Sequence, residues 1–254
     1  MQGVFQNVSG RWFQMQHKYF FNEGVDSNYE YPPGYTVKSI PDQISILQKH
    51  LGGIITDFSF DEEALKIKYP EGYDGQYALI NWKAFGISYE DAVNIAIEAC
   101  ACAYDNNFIN RREGALGPDR LRWVERDQKV WELICAKQDN NAIIIVPCQT
   151  GLLHRGRSAK EVRLKMEDTK KEFGLNLLDV LSIIITHKNR LQSDTDLRIS
   201  CIGNNYSPGA NDCSPQHPFL FYDWAGVNLL TVLNSQPHAT SGPATAFNPY
   251  SEAS

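Results

Sequence analysis

The chain has 254 residues, of which 43% are hydrophobic and 21% charged, an ordinary composition for a globular protein with one large domain or two small ones. It carries 24 basic and 30 acidic residues, so its formal net charge is −6. This balance argues against a chain built mainly to coat nucleic acid, because such chains present a basic surface.

Signals for a membrane or a secretory route are missing from the sequence. Residues 1–13, MQGVFQNVSGRWF, show no basic leader followed by a long apolar run. The longest apolar stretches fall far short of the roughly 20 residues that a membrane-spanning helix needs. We therefore expect a soluble, intracellular protein without membrane insertion, whose six cysteines are free thiols.

The first 84 residues have a strand-rich pattern. Alternating residues and short apolar runs predict a hairpin at 4–16 and strands at 53–60, 64–69 and 77–82. NYEYPPGY at 28–35 is typical of a loop. Between that loop and the predicted strands, Pro41 begins a short helix that ends before Gly52.

From residue 85 onwards helical periodicity dominates. The sequence predicts helices at 88–107, 118–137, 158–173 and 175–189, the last apolar nearly all round. It predicts strands at 142–148, 197–203, 218–224 and 226–233, the last two as a hairpin. The run NAIIIVPC is apolar on both faces, so the strand at 142–148 is expected to be central in its sheet.

These elements predict an α+β fold with mixed sheets. A β-rich N-terminal subdomain, 1–84, packs on a helix-rich mixed subdomain, 85–233, to form one compact unit. Residues 234–254 have a polar, low-complexity composition and are predicted to be a tail with no fold of its own. A partner, a neighbouring subunit or the body of the protein is expected to hold this tail.

A strand, a glycine-bearing basic loop and a helix follow one another in AIIIVPCQTGLLHRGRSAKEV, 142–162. GLLHRGRS at 151–158 matches the nucleotide P-loop pattern G-x-x-x-x-G-K-[ST], except that Arg157 replaces the lysine. Arginine keeps the charge but offers a wide planar group. Too few strands follow Ser158 for the usual parallel sheet, which counts against nucleotide binding here.

VPCQTGLLHRGRS is similar to the protein tyrosine phosphatase signature, Cys-x5-Arg followed by Ser or Thr, whose thiolate attacks phosphorus. Here six residues separate Cys148 from Arg155, and His154 stands at the arginine position. The family is therefore not assigned. Cys148 and His154 remain candidate catalytic residues, because nearby cationic groups favour a thiolate.

A plainer interpretation treats the same stretch as a well-capped helix start. Ser158 and Glu161 form a capping box, and the two glycines let the loop turn. Because helix N-termini attract anions, this interpretation still predicts an anion site, formed by Arg155, Gly156, Arg157 and Ser158.

A weaker pattern involves Cys201, Cys213 and His217, spaced C-x11-C-x3-H. With His187 or Asp212 they would complete four ligands for zinc. The paired C-x2-C spacing of zinc sites is missing, and no metal or cofactor is predicted.

Two functional hypotheses follow from these observations. The first is a non-enzymatic structural or interaction protein, self-associating or a subunit of a larger assembly, whose partner surface comprises the loop near residue 30 and the C-terminal tail. The alternative is a phosphate- or anion-handling enzyme or nucleotide sensor that uses the loop 148–158.

Overall fold

In the computed structural model, helices and strands are described for residues 24–169, 171–209 and 215–251. The helices are α1 (Ile40–Leu51), α2 (Tyr89–Ala103), α3 (Glu125–Lys137), α4 (Ala159–Thr169) and α5 (Leu177–Thr186). The strands are β1 (Gly75–Ile80), β2 (Phe108–Asn110), β3 (Leu121–Trp123), β4 (Ile143–Gln149), β5 (Glu172–Gly174), β6 (Arg198–Ser200), β7 (Asn204–Tyr206), β8 (Gln216–Asp223), β9 (Gly226–Leu233), β10 (Ser241–Pro243) and β11 (Thr245–Phe247). The predicted α+β class is confirmed.

The strands form two sheets. The first has the order β1-β4-β11-β5 and is antiparallel throughout. The second follows β10-β6-β8-β7-β3, and β9 joins it between β8 and β2. In this second sheet the β10–β6 and β2–β9 pairs are parallel. Strand β4 is buried along its whole length between two neighbours, so the predicted central strand is confirmed.

Helix α5 is the centre of the hydrophobic core, and every one of its residues is buried. It packs against α1, α2 and β1. Asn176 and Asp179 form a reciprocal capping box at its N-terminus. The prediction of a buried helix at 175–189 is confirmed, although the helix itself is shorter.

The two predicted strands before β1 are wrong. Residues 53–60 contain no strand, and Glu62–Lys66 form a 3₁₀ helix in place of the strand predicted at 64–69. Asp61 caps that helix by accepting a hydrogen bond from the Glu63 amide. The strand predicted at 77–82 is present as β1, and the hairpin predicted at 4–16 lies outside the described residues.

Two helices are shorter than predicted because residues at one end of each pair with a strand distant in sequence. Residues 121–123 pair with β7, so the helix predicted at 118–137 begins at Glu125. Residues 172–174 pair with β11, so the helix predicted at 158–173 ends at Thr169. In each case hydrogen bonding to a neighbouring strand determines the structure of residues whose local sequence pattern favours a helix.

The C-terminal segment is held by the body of the protein, one of the alternatives considered for it. Strand β11 lies between β4 and β5, and Thr245 and Ala246 are fully buried. The Gln149 amide donates to the Thr245 hydroxyl at 2.8 Å and to the Pro243 carbonyl at 2.8 Å. Polar side chains are accommodated in this core because they hydrogen-bond one another.

Free thiols are present at Cys100, Cys102, Cys135, Cys148 and Cys201. Cys213 lies outside the described residues. Among the helices that the structure describes, none combines the length and hydropathy needed to cross a membrane.

Substituting Gly242 by alanine should destabilise the fold by at least about 3 kcal/mol. A Cβ at Gly242 would lie 1.9 Å from the Gly151 carbonyl oxygen, a backbone atom, so the two chain segments would have to move apart. Chemical denaturation measures the loss. Gly53→Ala is the matched control, since its Cβ would meet no atom within 4 Å. An equal effect of the two substitutions would contradict this account.

Candidate active site

The loop 148–158 contains a cradle of backbone amides, and the chain's own side chains fill it. The amides of Thr150 and Leu152 donate to the Tyr31 hydroxyl oxygen at 3.1 and 3.2 Å. The Thr150 amide also donates to Oδ2 of Asp74 at 2.8 Å. Tyr31 donates in turn to Asp74 at 2.9 Å. The anionic group held by this loop is therefore an internal carboxylate.

The residues predicted to bind an anion also have partners within the protein. The guanidinium of Arg155 pairs with Glu30, and that of Arg157 pairs with Glu161 at 2.6 Å. The Gly156 amide donates to the Ser241 carbonyl at 3.0 Å. Ser158 caps α4 by accepting the Glu161 amide at 3.1 Å. Anion binding at these positions stays a prediction.

The candidate catalytic residues Cys148 and His154 are both buried, and catalytic use of either stays a prediction. The Cys148 thiol is fully buried and lies 3.4 Å from the Val146 carbonyl oxygen. Burial raises its pKa well above the ordinary value, the opposite of the predicted thiolate. His154 is buried with Nε2 at 2.8 Å from a Glu172 carboxylate oxygen, an arrangement that fixes the imidazole ring.

The weak zinc-ligand candidates that lie within the described residues make other contacts. Cys201 is buried in the core, and His217 Nδ1 lies 2.9 Å from Oδ1 of Asn234. Burial lowers the pKa of His217 to about 3. His187 accepts a hydrogen bond from the Lys38 amide at 3.0 Å, while Cys213 and Asp212 lie outside the described residues. Within those residues no group of three His, Cys, Asp or Glu side chains could hold a metal ion.

A different site is built where two helices begin. Asp127 lies in the first turn of α3, and Asp179 lies in the first turn of α5. Both carboxyls line one narrow cleft and are buried. The aromatic walls of this cleft are Trp123, Trp131 and Phe173, and its other lining residues are Gly174, Asn176 and Gly203. We refer to it as the carboxyl cleft.

Each carboxyl keeps one oxygen that makes no hydrogen bond of ordinary length and angle with the residues that the structure describes. These atoms are Oδ2 of Asp127 and Oδ1 of Asp179. The opposite oxygens are engaged: Arg126 donates to Asp127 Oδ1 at 3.0 Å, and the Asn176 amide donates to Asp179 Oδ2 at 3.0 Å. An unsatisfied buried polar atom costs about 1–3 kcal/mol, so this pair is destabilising as it stands.

The surroundings give the two carboxyls different proton affinities. Burial raises the pKa of Asp179 to about 8, although the Asn176 hydrogen bonds lower it, and the Asp127 charge adds to the rise. Burial also raises the pKa of Asp127, to about 6, against the lowering effect of Arg126, the Gly174 amide and Arg163. Both carboxyls therefore hold a proton more tightly than an ordinary aspartate, and Asp179 holds it more tightly than Asp127.

An open groove lies beside the carboxyl cleft and shares Trp123 with it. The groove has a volume of about 270 Å³. It is lined by Trp82, Tyr89, Glu90, Leu121, Arg122, Trp123 and Gln128. We refer to it as the aromatic groove. The centres of the Tyr89 and Trp123 rings lie 4.9 Å apart in an edge-to-face contact, so the residue shared by the two spaces packs on a groove residue.

Hydrogen bonds tie the groove to the first turn of α5. The Tyr89 hydroxyl donates to Oδ1 of Asn204 at 3.0 Å and lies 3.2 Å from Oδ1 of Asn176. The same Asn176 oxygen accepts the Asp179 amide at 3.0 Å. Tyr89 in the groove is thus connected through the Asn176 side chain to the backbone amide of Asp179.

Sequence reasoning missed this site. Asp127 resembles any acidic residue in a first helical turn, which favours the helix dipole. Asp179 carried a usable signal, because it is the one charged residue within the apolar stretch 177–186. Comparisons with protein-family models, with curated proteins and with solved structures find no match to this chain.

Proposed function

We propose that the chain is an enzyme in which Asp179 acts as general acid and Asp127 as general base. The observation that carries this proposal is the pair of unpartnered carboxyl oxygens in one aromatic-walled cleft. Active sites keep polar groups that are costly to bury, because those groups are reserved for a substrate. The substrate is a small molecule that binds in the aromatic groove and reaches the carboxyl cleft.

The electrostatics support acid–base chemistry near neutral pH. A general acid must hold its proton and a general base must lack one at the working pH. The pKa of about 8 for Asp179 and of about 6 for Asp127 satisfy both conditions between pH 6 and pH 8. Paired carboxyls whose environments separate their pKa values occur in enzymes that use one carboxyl as acid and one as base.

Access to the carboxyls requires movement of Trp123. The carboxyl cleft is too narrow to admit a water-sized sphere, whereas the aromatic groove is open. Trp123 lines both spaces and is only partly buried. In this proposal a substrate in the groove displaces the Trp123 indole and brings its reacting bond to Asp127 and Asp179.

Interaction with a protein partner stays a prediction. The two segments expected to form its surface make contacts inside the chain. In the loop 28–35, Tyr31 hydrogen-bonds Asp74, and in the C-terminal segment Thr245 and Ala246 are buried in the first sheet. These contacts leave the carboxyl cleft as the better-supported functional feature.

Turnover of chromogenic glycosides, esters and phosphate esters tests the proposal. We expect hydrolysis of one class, with a bell-shaped pH profile centred near pH 7. The acid limb follows the pKa of Asp127 at about 6, and the alkaline limb follows the pKa of Asp179 at about 8. Asp127→Asn and Asp179→Asn should each lower kcat at least about 100-fold.

Asp119→Asn is the matched control, because Asp119 is an exposed carboxyl away from the cleft. It should keep the wild-type rate. Turnover that survives both cleft substitutions would refute the proposed roles of Asp127 and Asp179. Failure to process any member of the panel would count against an acid–base hydrolase.

A further inference from the structure

We infer that the aromatic groove recognises a neutral, polyhydroxylated ring of the size of one sugar unit, and that the bond cleaved is a glycosidic C–O bond. The inference rests on the proposed acid–base function and adds the class of substrate. Three features of the groove and cleft support it: size, the arrangement of aromatic and polar groups, and local charge.

The first feature is the size and lining of the groove. Its volume of about 270 Å³ lies just below the range of roughly 300–1,000 Å³ typical of sites for drug-sized molecules. A single saturated ring with its substituents suits that space. Trp82 and Trp123 are among its lining residues, and the C–H faces of a sugar ring pack well on indole rings.

The second feature is the mixture of donors and acceptors around these aromatic faces. Arg122 and Gln128 offer N–H donors, and Glu90 offers acceptor oxygens. The free oxygens of Asp127 and Asp179 are further hydrogen-bonding positions in the cleft. A hydroxyl group both donates and accepts, so a ring with several hydroxyls can pair with all of these groups.

The third feature is the charge. Glu90 and Arg122 carry opposite charges within one groove, which favours a ligand without net charge. In the adjoining cleft the Asp127 carboxyl is paired with Arg126 at 3.0 Å. A ligand without net charge leaves both of these opposite-charge pairs undisturbed.

The chemical step balances with water as the second reactant. Asp179 transfers its proton to the glycosidic oxygen as the bond between that oxygen and the anomeric carbon breaks. Asp127 accepts a proton from a water molecule, whose oxygen forms the new bond to the anomeric carbon. The products are a free sugar and an alcohol, and proton exchange with solvent restores both carboxyls.

Binding to the Asp179→Asn variant tests this inference apart from turnover. Saturation-transfer NMR and tryptophan fluorescence would be recorded with methyl glycosides and short oligosaccharides, and with nucleosides and small amines for comparison. We expect sugar binding that weakens at least tenfold when Trp82→Ala is added. Gln128→Ala, a smaller change on the groove's polar side, should weaken the same binding severalfold.

Trp224→Ala is the control for the aromatic substitution, because Trp224 is 93% exposed at the turn between β8 and β9. It should leave sugar binding unchanged. Nucleoside or amine binding in place of sugar binding would overturn the inference, as would sugar binding that tolerates both groove substitutions. Turnover of a non-glycoside by the wild type would overturn the inference about the substrate but would support the acid–base function. Sugar binding without any glycoside turnover would refute both the acid–base function and the proposed cleavage step.

Discussion

Asp179→Asn is expected to stabilise the folded chain at pH 8.5 by an amount on the order of 5 kcal/mol, and to change its stability little at pH 4. The pKa of Asp179 is about 8 in the folded chain, whereas an unfolded aspartate has a pKa of 3.8. Between these values the folded chain retains a proton that the unfolded chain releases. The contribution of Asp179 to the free energy of unfolding of the wild type therefore falls as the pH rises from about 4 to about 8.

Asparagine should remove this pH dependence. Its side-chain oxygen can accept the Asn176 amide as Asp179 Oδ2 does at 3.0 Å, and its NH₂ group takes the place of the unpartnered Oδ1. Urea denaturation at pH 4, 7 and 8.5 measures the effect. A carboxyl with only a capping role predicts a loss of about 1 kcal/mol at every pH instead, and that result would contradict the account. Asp119→Asn again serves as control.

Arg190→Met is expected to destabilise the chain by about 3–5 kcal/mol at pH 7. The Arg190 side chain is fully buried and donates to the Thr150 hydroxyl, the Thr150 carbonyl and the Leu197 carbonyl, each at 2.8 Å. Its guanidinium lies 4.2 Å from the centre of the Tyr31 ring. Methionine preserves the bulk but leaves two carbonyls without these donors and Asp74 without a nearby cation.

Comparison with Arg111→Met tests whether the loss of stability comes from the burial of the arginine. Arg111 also pairs with a carboxylate, Asp223, at 3.3 Å, but its side chain is 43% exposed. Its substitution should cost less than about 1 kcal/mol. The stability of Arg190→Lys should lie between that of the wild type and that of Arg190→Met, because lysine keeps the charge but lacks the planar set of donors. Equal losses for Arg190→Met and Arg111→Met, measured by urea denaturation, would contradict the structural role given to Arg190.

The sequence predicts those helices and strands that are determined by residues within or next to them. Helix α1 follows from Pro41 and Gly52, and its bounds, Ile40–Leu51, differ by one residue from the prediction. The central position of β4 follows from a run that is apolar on both faces. Strand β11 could not be predicted, because its polar sequence gains its place only by pairing with β4 and β5.

The candidate site likewise depends on contacts between residues that are distant in sequence. The anion site predicted at Arg155, Gly156, Arg157 and Ser158 stays a prediction, and the loop amide that donates to a carboxylate belongs to Thr150, outside that set. The carboxylate is that of Asp74, which lies far from Thr150 in sequence and beside it in the fold. The carboxyl cleft depends on the meeting of Asp127 and Asp179 from two separate helices, and no spacing within either helix predicts that meeting.

Titration of the aspartate carboxyl carbons by ¹³C NMR tests the central claim most directly. In aspartate-labelled protein we expect one resonance that titrates near pH 6 and is lost in Asp127→Asn, and another near pH 8 that is lost in Asp179→Asn. Removing Asp127 should also lower the pKa of Asp179, because the two charges repel. If both carboxyls instead titrate near pH 4, neither is held as an acid–base pair and the account is contradicted.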